Sequence, residues 1–154
     1  MTQDSGLKIA ILMGSEKDLQ TMQPAADVLA DLGISHDVHV MSAHRTPERV
    51  AAFAVGARDA GYGVIICGAG KAAHLAGAVA AHSTLPVIGV PIAAGSLGGL
   101  DALLSTVQMP TGIPVATVAV DSAANAAYLA AAVLSVSDET VAEALAGYRQ
   151  GLKQ

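Results

Sequence analysis

"KIAILMGS", residues Lys8–Ser15, decides the fold. Lys8 is followed by an unbroken apolar run, and Gly14 and Ser15 stop it. A short strand that is apolar without alternation is buried on both faces, which is how strands of a helix-covered parallel sheet read. The same pattern recurs down the chain. "HDVHVM" (36–41) ends in "SAH", "GVIIC" (63–67) in "GAG", "PVIGV" (86–90) in "PIAAGS" and "VATVAV" (115–120) in "DSAAN". Between these runs the sequence predicts helices over 17–32, 47–60, 72–82, 99–107 and 123–135, with a last, polar-faced helix from 138 to about 152. Pro47 suits a first helical position with Thr46 as its cap, and Gly33 and Gly61 read as helix stops.

Strand and helix alternate throughout, which predicts an α/β fold: a three-layer, open parallel sheet with helices on both faces. The 154 residues fit one domain spanning 1–154 and closing on a C-terminal helix. The hydrophobic fraction is 53% but only 3% is aromatic, so the core is built from small and aliphatic side chains that let helices lie close to the sheet. With only 14% charged residues, part of the surface is expected to be buried between subunits. The net charge of −5, without a Lys/Arg cluster, argues against a nucleic-acid partner. The single cysteine, Cys67, rules out an internal disulfide framework and fits a reducing compartment. No secretory signal and no apolar run of roughly 20 residues is seen, so no membrane partner is expected and the cytoplasm is the expected location.

In open α/β sheets the ligand crevice lies beyond the carboxyl ends of the strands. The loops there carry the chemistry. In "MGSEKDLQTM" (13–22), Gly14 suits a sharp turn, Ser15 and the following amides face an anion at a helix start, and Asp18 suits a sugar diol. Capping by Ser15 and Asp18 explains the same residues without a ligand. "SAHRTPE" (42–48) sets Ser42, His44 and Arg45 side by side. A guanidinium grips phosphate as a planar fork, a hydroxyl adds a hydrogen bond, and an imidazole is the side chain that exchanges protons nearest neutrality.

"GAGKAAHLAG" (68–77) invites two readings that fail. Gly68, Gly70 and Ala73 fit a dinucleotide fingerprint but follow the third strand, and no acidic residue closes the next one. Lys71 follows Gly70 as in a phosphate loop, yet Ala72 stands where Ser or Thr is required. A flexible Gly-rich turn remains, through which backbone amides can approach a ligand. His74, taken alone, reads as packing or capping. His36, His39 and His82 share no metal-binding pattern, so no metal is expected. Cys67, on an apolar strand, reads as inert.

"MGS..D", "SAHRTPE", "GAG.AAHLAG", "LPVIGVP", "GLDALLSTVQMP.G.PVATVAV" and "AANAAYLAA" occur in the order and spacing of one family. Over about residues 8 to 135 the chain resembles the class I PurE family, the N5-carboxyaminoimidazole ribonucleotide mutases of purine biosynthesis. The resemblance implies a flavodoxin-like subunit in a homo-octamer that moves a carboxylate from N5 to C4 of an aminoimidazole ribonucleotide, with no metal, ATP or other cofactor. It implies that His44 shuttles the proton while CO2 is held in a closed site. It also implies that Ser15 and Asp18 hold ribose or phosphate, that Ser42 and Arg45 hold phosphate, and that Gly70, Ala72, His74 and Leu75 border the base and its carboxylate; Lys71, between them in the chain, is a further substrate-binding candidate.

Three positions depart from the family's pattern: Lys17 stands for a Ser in the first loop, and Lys71 and Ala76 stand for Gly and Pro in the third. Both lysines bring an ammonium near an anionic substrate. The rivals are a class II aminoimidazole ribonucleotide carboxylase using free CO2, and a PurE-like nucleotide-binding protein without catalysis. Arg45 and "GAGKAAH" favour class I. A phosphate-accepting receiver is disfavoured, because "GS" and "GAG" stand where its acidic residues belong.

Overall fold

A computed structural model describes residues 5–153. In chain order they form β1 (Lys8–Met13), a 3-10 turn (Glu16–Asp18), α1 (Leu19–Asp31), β2 (His36–Val40), α2 (Pro47–Gly56), β3 (Tyr62–Gly70), α3 (Leu75–His82), β4 (Val87–Ile92), α4 (Leu100–Val107), β5 (Ala116–Thr117), α5 (Ala123–Ser135) and α6 (Glu139–Gly151). Every pairing is parallel and the strand order is β2-β1-β3-β4-β5. That is the flavodoxin-like order, whose topological switch point falls between β1 and β3.

The unbroken apolar runs become the interior strands. β4 is buried along its whole length, as is β3 except at its end, while β2 at the edge is only half-buried. Alternate side chains divide the core in two. Ile9, Ile11, Met13, Val64, Ile66 and Ile88 meet α1 and α5, whose Ala126, Ala127, Ala130 and Ala131 let the helix lie close. Ala10, Leu12, Ile65, Cys67 and Val87 meet α2 and α3 through Val50, Ala54, Leu75 and Val79. Each fully buried Ile or Leu contributes about 1.5–3 kcal/mol, so these layers dominate stability. On β4, a side chain at Gly89 would collide with the Thr106 methyl of α4, so glycine is required there for close approach.

Several local expectations are corrected. β3 continues through Gly70, with Gly68 paired to Val90 and Gly70 to Ile92, so the "GAG" read as a flexible turn is strand. The turn comes later, at 71–74, and α3 starts at Leu75 rather than at 72. β5 is two residues long instead of six. The Pro91 carbonyl faces the β5 side, accepting from Asp121 N–H (2.8 Å), so the N–H that Pro91 lacks is missing on that side and the ladder stops. Thr46 sits at the cap position of α2 without capping it: its hydroxyl accepts from Ser42 N–H and donates to Ser42 C=O, both at 3.0 Å. Gly14 is not among the residues with left-handed backbone. Gly33 (φ +71°), just past the end of α1, is, as expected of a helix stop, whereas α2 ends at Gly56 rather than at 60 and the left-handed Gly61 (φ +92°) closes the turn after it.

α6 is fastened by Asp138, only 3% exposed. One carboxylate oxygen accepts from Val141 N–H (3.1 Å), and the other from Ser5 N–H (3.0 Å) and the Ser5 hydroxyl (2.8 Å). The Ser5 backbone bond, with the others, holds this carboxyl below the usual carboxylate range. A lowered folded-state pKa means that the stabilisation is complete at neutral pH and is lost as acid protonates the folded group, below roughly pH 4. Asp138→Ala is expected to lower stability by about 1–2 kcal/mol at pH 7, read from urea midpoints, with the gap to the parent closing in acid. An unchanged midpoint at pH 7 would remove Asp138 from this role.

Candidate active site

Beyond the carboxyl ends of β1, β2, β3 and β4 the chain leaves a crevice of about 480 Å³ at the switch point. Every site residue expected from the sequence lines it: Ser15 and Asp18 after β1, Ser42, His44 and Arg45 after β2, and Gly70, Lys71, Ala72, His74 and Leu75 at and after β3. A larger groove, about 710 Å³, lies at the opposite ends of β4 and β5. It contains no Lys, Arg, Asp or Glu, and its one imidazole, His82, is tied by Nδ1 to the Ala78 carbonyl at 2.9 Å. Chemistry and size disagree, and chemistry selects the smaller crevice.

The β1 loop turns at once into the 3-10 helix. Ser15 caps that turn, its Oγ accepting from Lys17 N–H at 3.2 Å, so capping does account for this residue. The hydroxyl proton remains available to a ligand. Asp18 stands at the cap position of α1 but its side chain does not cap. Burial pushes its carboxyl above the usual carboxylate range.

The β2 loop is knotted on Ser42. Its carbonyl accepts from Thr46 N–H (2.9 Å), and its Oγ accepts from Arg45 N–H (3.1 Å), again leaving an O–H to donate. Among the described residues the Arg45 guanidinium has no partner, and neither do the Lys17 and Lys71 ammonium groups. Three cations and one carboxylate thus line a crevice in a chain of net charge −5. The local field suits a polyanion.

His44 Nε2 lies 2.6 Å from His74 Nδ1, and the rings meet edge to face at 82°. One nitrogen donates and the other accepts; both cannot donate, so the pair shares one proton across that contact. His74 occupies the cap position of α3 with no side-chain capping bond, so capping does not explain it. Sequence alone could not join two histidines 30 residues apart. Leu75, 1% exposed, belongs to the core while closing the crevice floor.

Ala94, beyond β4, also lines the crevice; it was not legible in the sequence, because an alanine carries no chemical signal. A Cβ on Gly70 would lie 2.7 Å from the Ala94 Cβ, so glycine there lets the fourth wall close. Lys17 also lines the crevice. The remaining histidines serve elsewhere: His36 Nδ1 contacts the Ile34 carbonyl (3.0 Å) and His39 Nε2 lies 3.4 Å from the Tyr62 hydroxyl. Tyr62 donates to Asp37 (2.6 Å), which also pairs with Lys8 (2.9 Å), a cluster toward the opposite ends of the strands. Among the described residues no three His, Cys, Asp or Glu side chains are placed to hold a metal ion. Burial pushes the Cys67 thiol far up, as expected of an inert cysteine.

Comparison with known proteins gives a consistent result. The sequence matches the family described as AIR carboxylase over residues 8–154. It is 56% identical over 144 residues to the N5-carboxyaminoimidazole ribonucleotide mutase of Brucella melitensis, covering 92% of this chain and 89% of that one. It is 52% identical over 147 residues to the Pyrococcus abyssi protein of the same name, covering 96% and 84%. The crystal structure of Treponema denticola PurE superimposes with a TM-score of 0.85 at 31% identity, covering 95% of this chain and 91% of that one.

Proposed function

The chain belongs to the AIR carboxylase family, and on that premise we propose that it is an N5-carboxyaminoimidazole ribonucleotide mutase of purine biosynthesis. The observation that carries the reading is the His44–His74 contact inside a crevice dominated by cations. In the reaction the N5–carboxyl bond breaks, CO2 is released and N5 takes a proton. C4 then attacks the CO2, a carbon–carbon bond forms, and C4 gives up its proton. One imidazole suffices, because the proton it donates to nitrogen is returned from carbon. No oxidant, phosphoryl donor or metal enters that balance.

His44 is assigned as the shuttle, with His74 sharing its proton and holding its ring. Ser42 and Arg45 are assigned to the phosphate, since a free guanidinium and a free O–H stand on the same knotted turn. Ser15 and Asp18 are assigned to ribose or phosphate, and Gly70, Ala72, His74 and Leu75 to the base. Holding CO2 against C4 replaces a bimolecular encounter, a large part of the acceleration.

In one chain the crevice is open where His44, Arg45 and Lys71 are exposed. Leu100, Leu104 and Val107 form an exposed stripe on α4, 56%, 49% and 42% exposed, and Leu97, just before the helix, is exposed as well. This stripe supports association between subunits, and we take the assembly to be a homo-octamer. We take residues 1–154 as one domain, and the cytoplasm as its place; among the described residues no helix is long and apolar enough to cross a membrane.

Asp18 gives a stability test. Its raised folded-state pKa means that its charge opposes folding above the unfolded-state value near 4. Asp18→Asn is therefore expected to raise the melting temperature of the free protein while raising KM, because a ribose hydroxyl loses its carboxylate acceptor. A lower melting temperature would contradict the first part, and an unchanged KM the second.

The function itself is tested by spectrophotometric turnover of the N5-carboxy nucleotide by purified protein without metal or ATP. Turnover is expected. Consumption of aminoimidazole ribonucleotide plus bicarbonate, with the N5-carboxy compound ignored, would instead make it a class II carboxylase.

A further inference from the structure

We propose that Lys71 is a specificity-determining residue whose ammonium pairs with the substrate carboxylate, so that the site selects the carboxylated imidazole nucleotide over the uncarboxylated one. The inference rests on the mutase reading above.

Lys71 and Asp121 are the two non-glycine described residues with left-handed backbone, at φ +55° and +60°. That region is unfavourable for a side chain, so something must hold each there. The turn at Lys71 is bolted to α4: Ser105 Oγ accepts from Ala73 N–H (3.0 Å), donates to Asp101 C=O (2.7 Å) and lies 3.3 Å from Lys71 C=O. The Lys71 stem then runs along Gly95, where an added Cβ would come within 3.3 Å of Lys71 Cε. Asp121 fixes that platform, its Oδ1 accepting from Ala93 N–H at 2.9 Å. Both strained residues therefore act on the segment 93–99. The Lys71 head group, held on this track, has no partner among the described residues.

Strand order supplies the direction. Arg45 stands on the loop after β2, the edge strand; Lys71 stands on the loop after β3 and its stem runs toward the segment after β4. A ligand in the crevice meets a planar fork on the β2 loop and compact point charges at Lys17, after β1, and at Lys71, after β3. The fork suits phosphate, and of the two ammonium groups Lys71 is the one on the loop that carries His74, beside the proton-exchanging pair, where a second anion on the reacting base would lie. On a ribonucleotide that second anion is a carboxylate on the base.

Calorimetric titration of the intact enzyme with the C4-carboxylated nucleotide and with aminoimidazole ribonucleotide tests the assignment. Lys71→Gly keeps the left-handed turn, and Lys71→Met keeps the stem. Each is expected to weaken binding of the carboxylated nucleotide about tenfold or more, leave the uncarboxylated one unchanged, and be rescued largely by Lys71→Arg. Melting temperatures run alongside should not fall for Lys71→Gly. Equal weakening of both nucleotides, or weakening of neither, overturns the assignment while leaving the mutase reading intact. A parent enzyme that neither binds nor converts these nucleotides overturns both.

Discussion

His44→Asn is expected to lower kcat by roughly 10² to 10⁴-fold while the nucleotide still binds. The shorter carboxamide stops short of the place of His44 Nε2, 2.6 Å from His74 Nδ1, and it cannot take up and return a proton. Loss confined to kcat is the mark of a group that acts on the reacting atoms, because the grip on phosphate lies in neighbouring residues. Single-turnover kinetics with calorimetric binding measure the two quantities separately. Turnover within a few-fold of the parent would exclude His44 as the shuttle. Loss of binding together with turnover would make it a positioning residue.

Arg45→Ala is expected to raise KM about 10- to 100-fold with a much smaller change in kcat. A hydrogen bond to a charged group contributes about 1.5–3 kcal/mol, and each 1.4 kcal/mol is a factor of ten. The guanidinium is exposed and has no partner among the described residues, so its removal should shift stability by less than about 0.5 kcal/mol. Lysine at the same position restores charge without the planar fork, so Arg45→Lys should recover only part of the affinity. Rising ionic strength should weaken the parent enzyme's binding more than that of Arg45→Ala. An unchanged KM in Arg45→Ala would contradict the phosphate assignment.

The fold was legible because its evidence is local. Ile9 to Met13, Val64 to Cys67 and Val87 to Val90 are apolar on both faces, and only a covered parallel sheet buries both. What escaped the sequence depends on neighbours distant in the chain. Gly68 to Gly70 look like a turn because glycine has no side chain to declare a strand, yet their backbone pairs with Val90 to Ile92. β5 stops early because Pro91, on the adjacent strand, has no N–H to offer it. A run such as "VATVAV" carries no trace of its partner's missing donor.

The site divides in the same way. Ser42, His44 and Arg45 were conspicuous because three polar groups interrupt an apolar chain at one strand end. His74 acquires its meaning only from His44, and Ala94 only from the Cβ that Gly70 lacks. The left-handed backbone of Lys71 is likewise invisible in a sequence, where a lysine reads as an ordinary solvated cation.

Carbon labelling tests most directly the claim that one carboxyl group stays in the site while an imidazole pair moves the proton. N5-carboxyaminoimidazole ribonucleotide labelled with carbon-13 in its carboxyl group is converted by the enzyme in excess unlabelled bicarbonate, and the C4-carboxylated product is isolated. The account predicts a product that keeps its label. A product carrying unlabelled carboxyl in the proportion of the bicarbonate pool would show that CO2 escapes and returns from solution, and would contradict it.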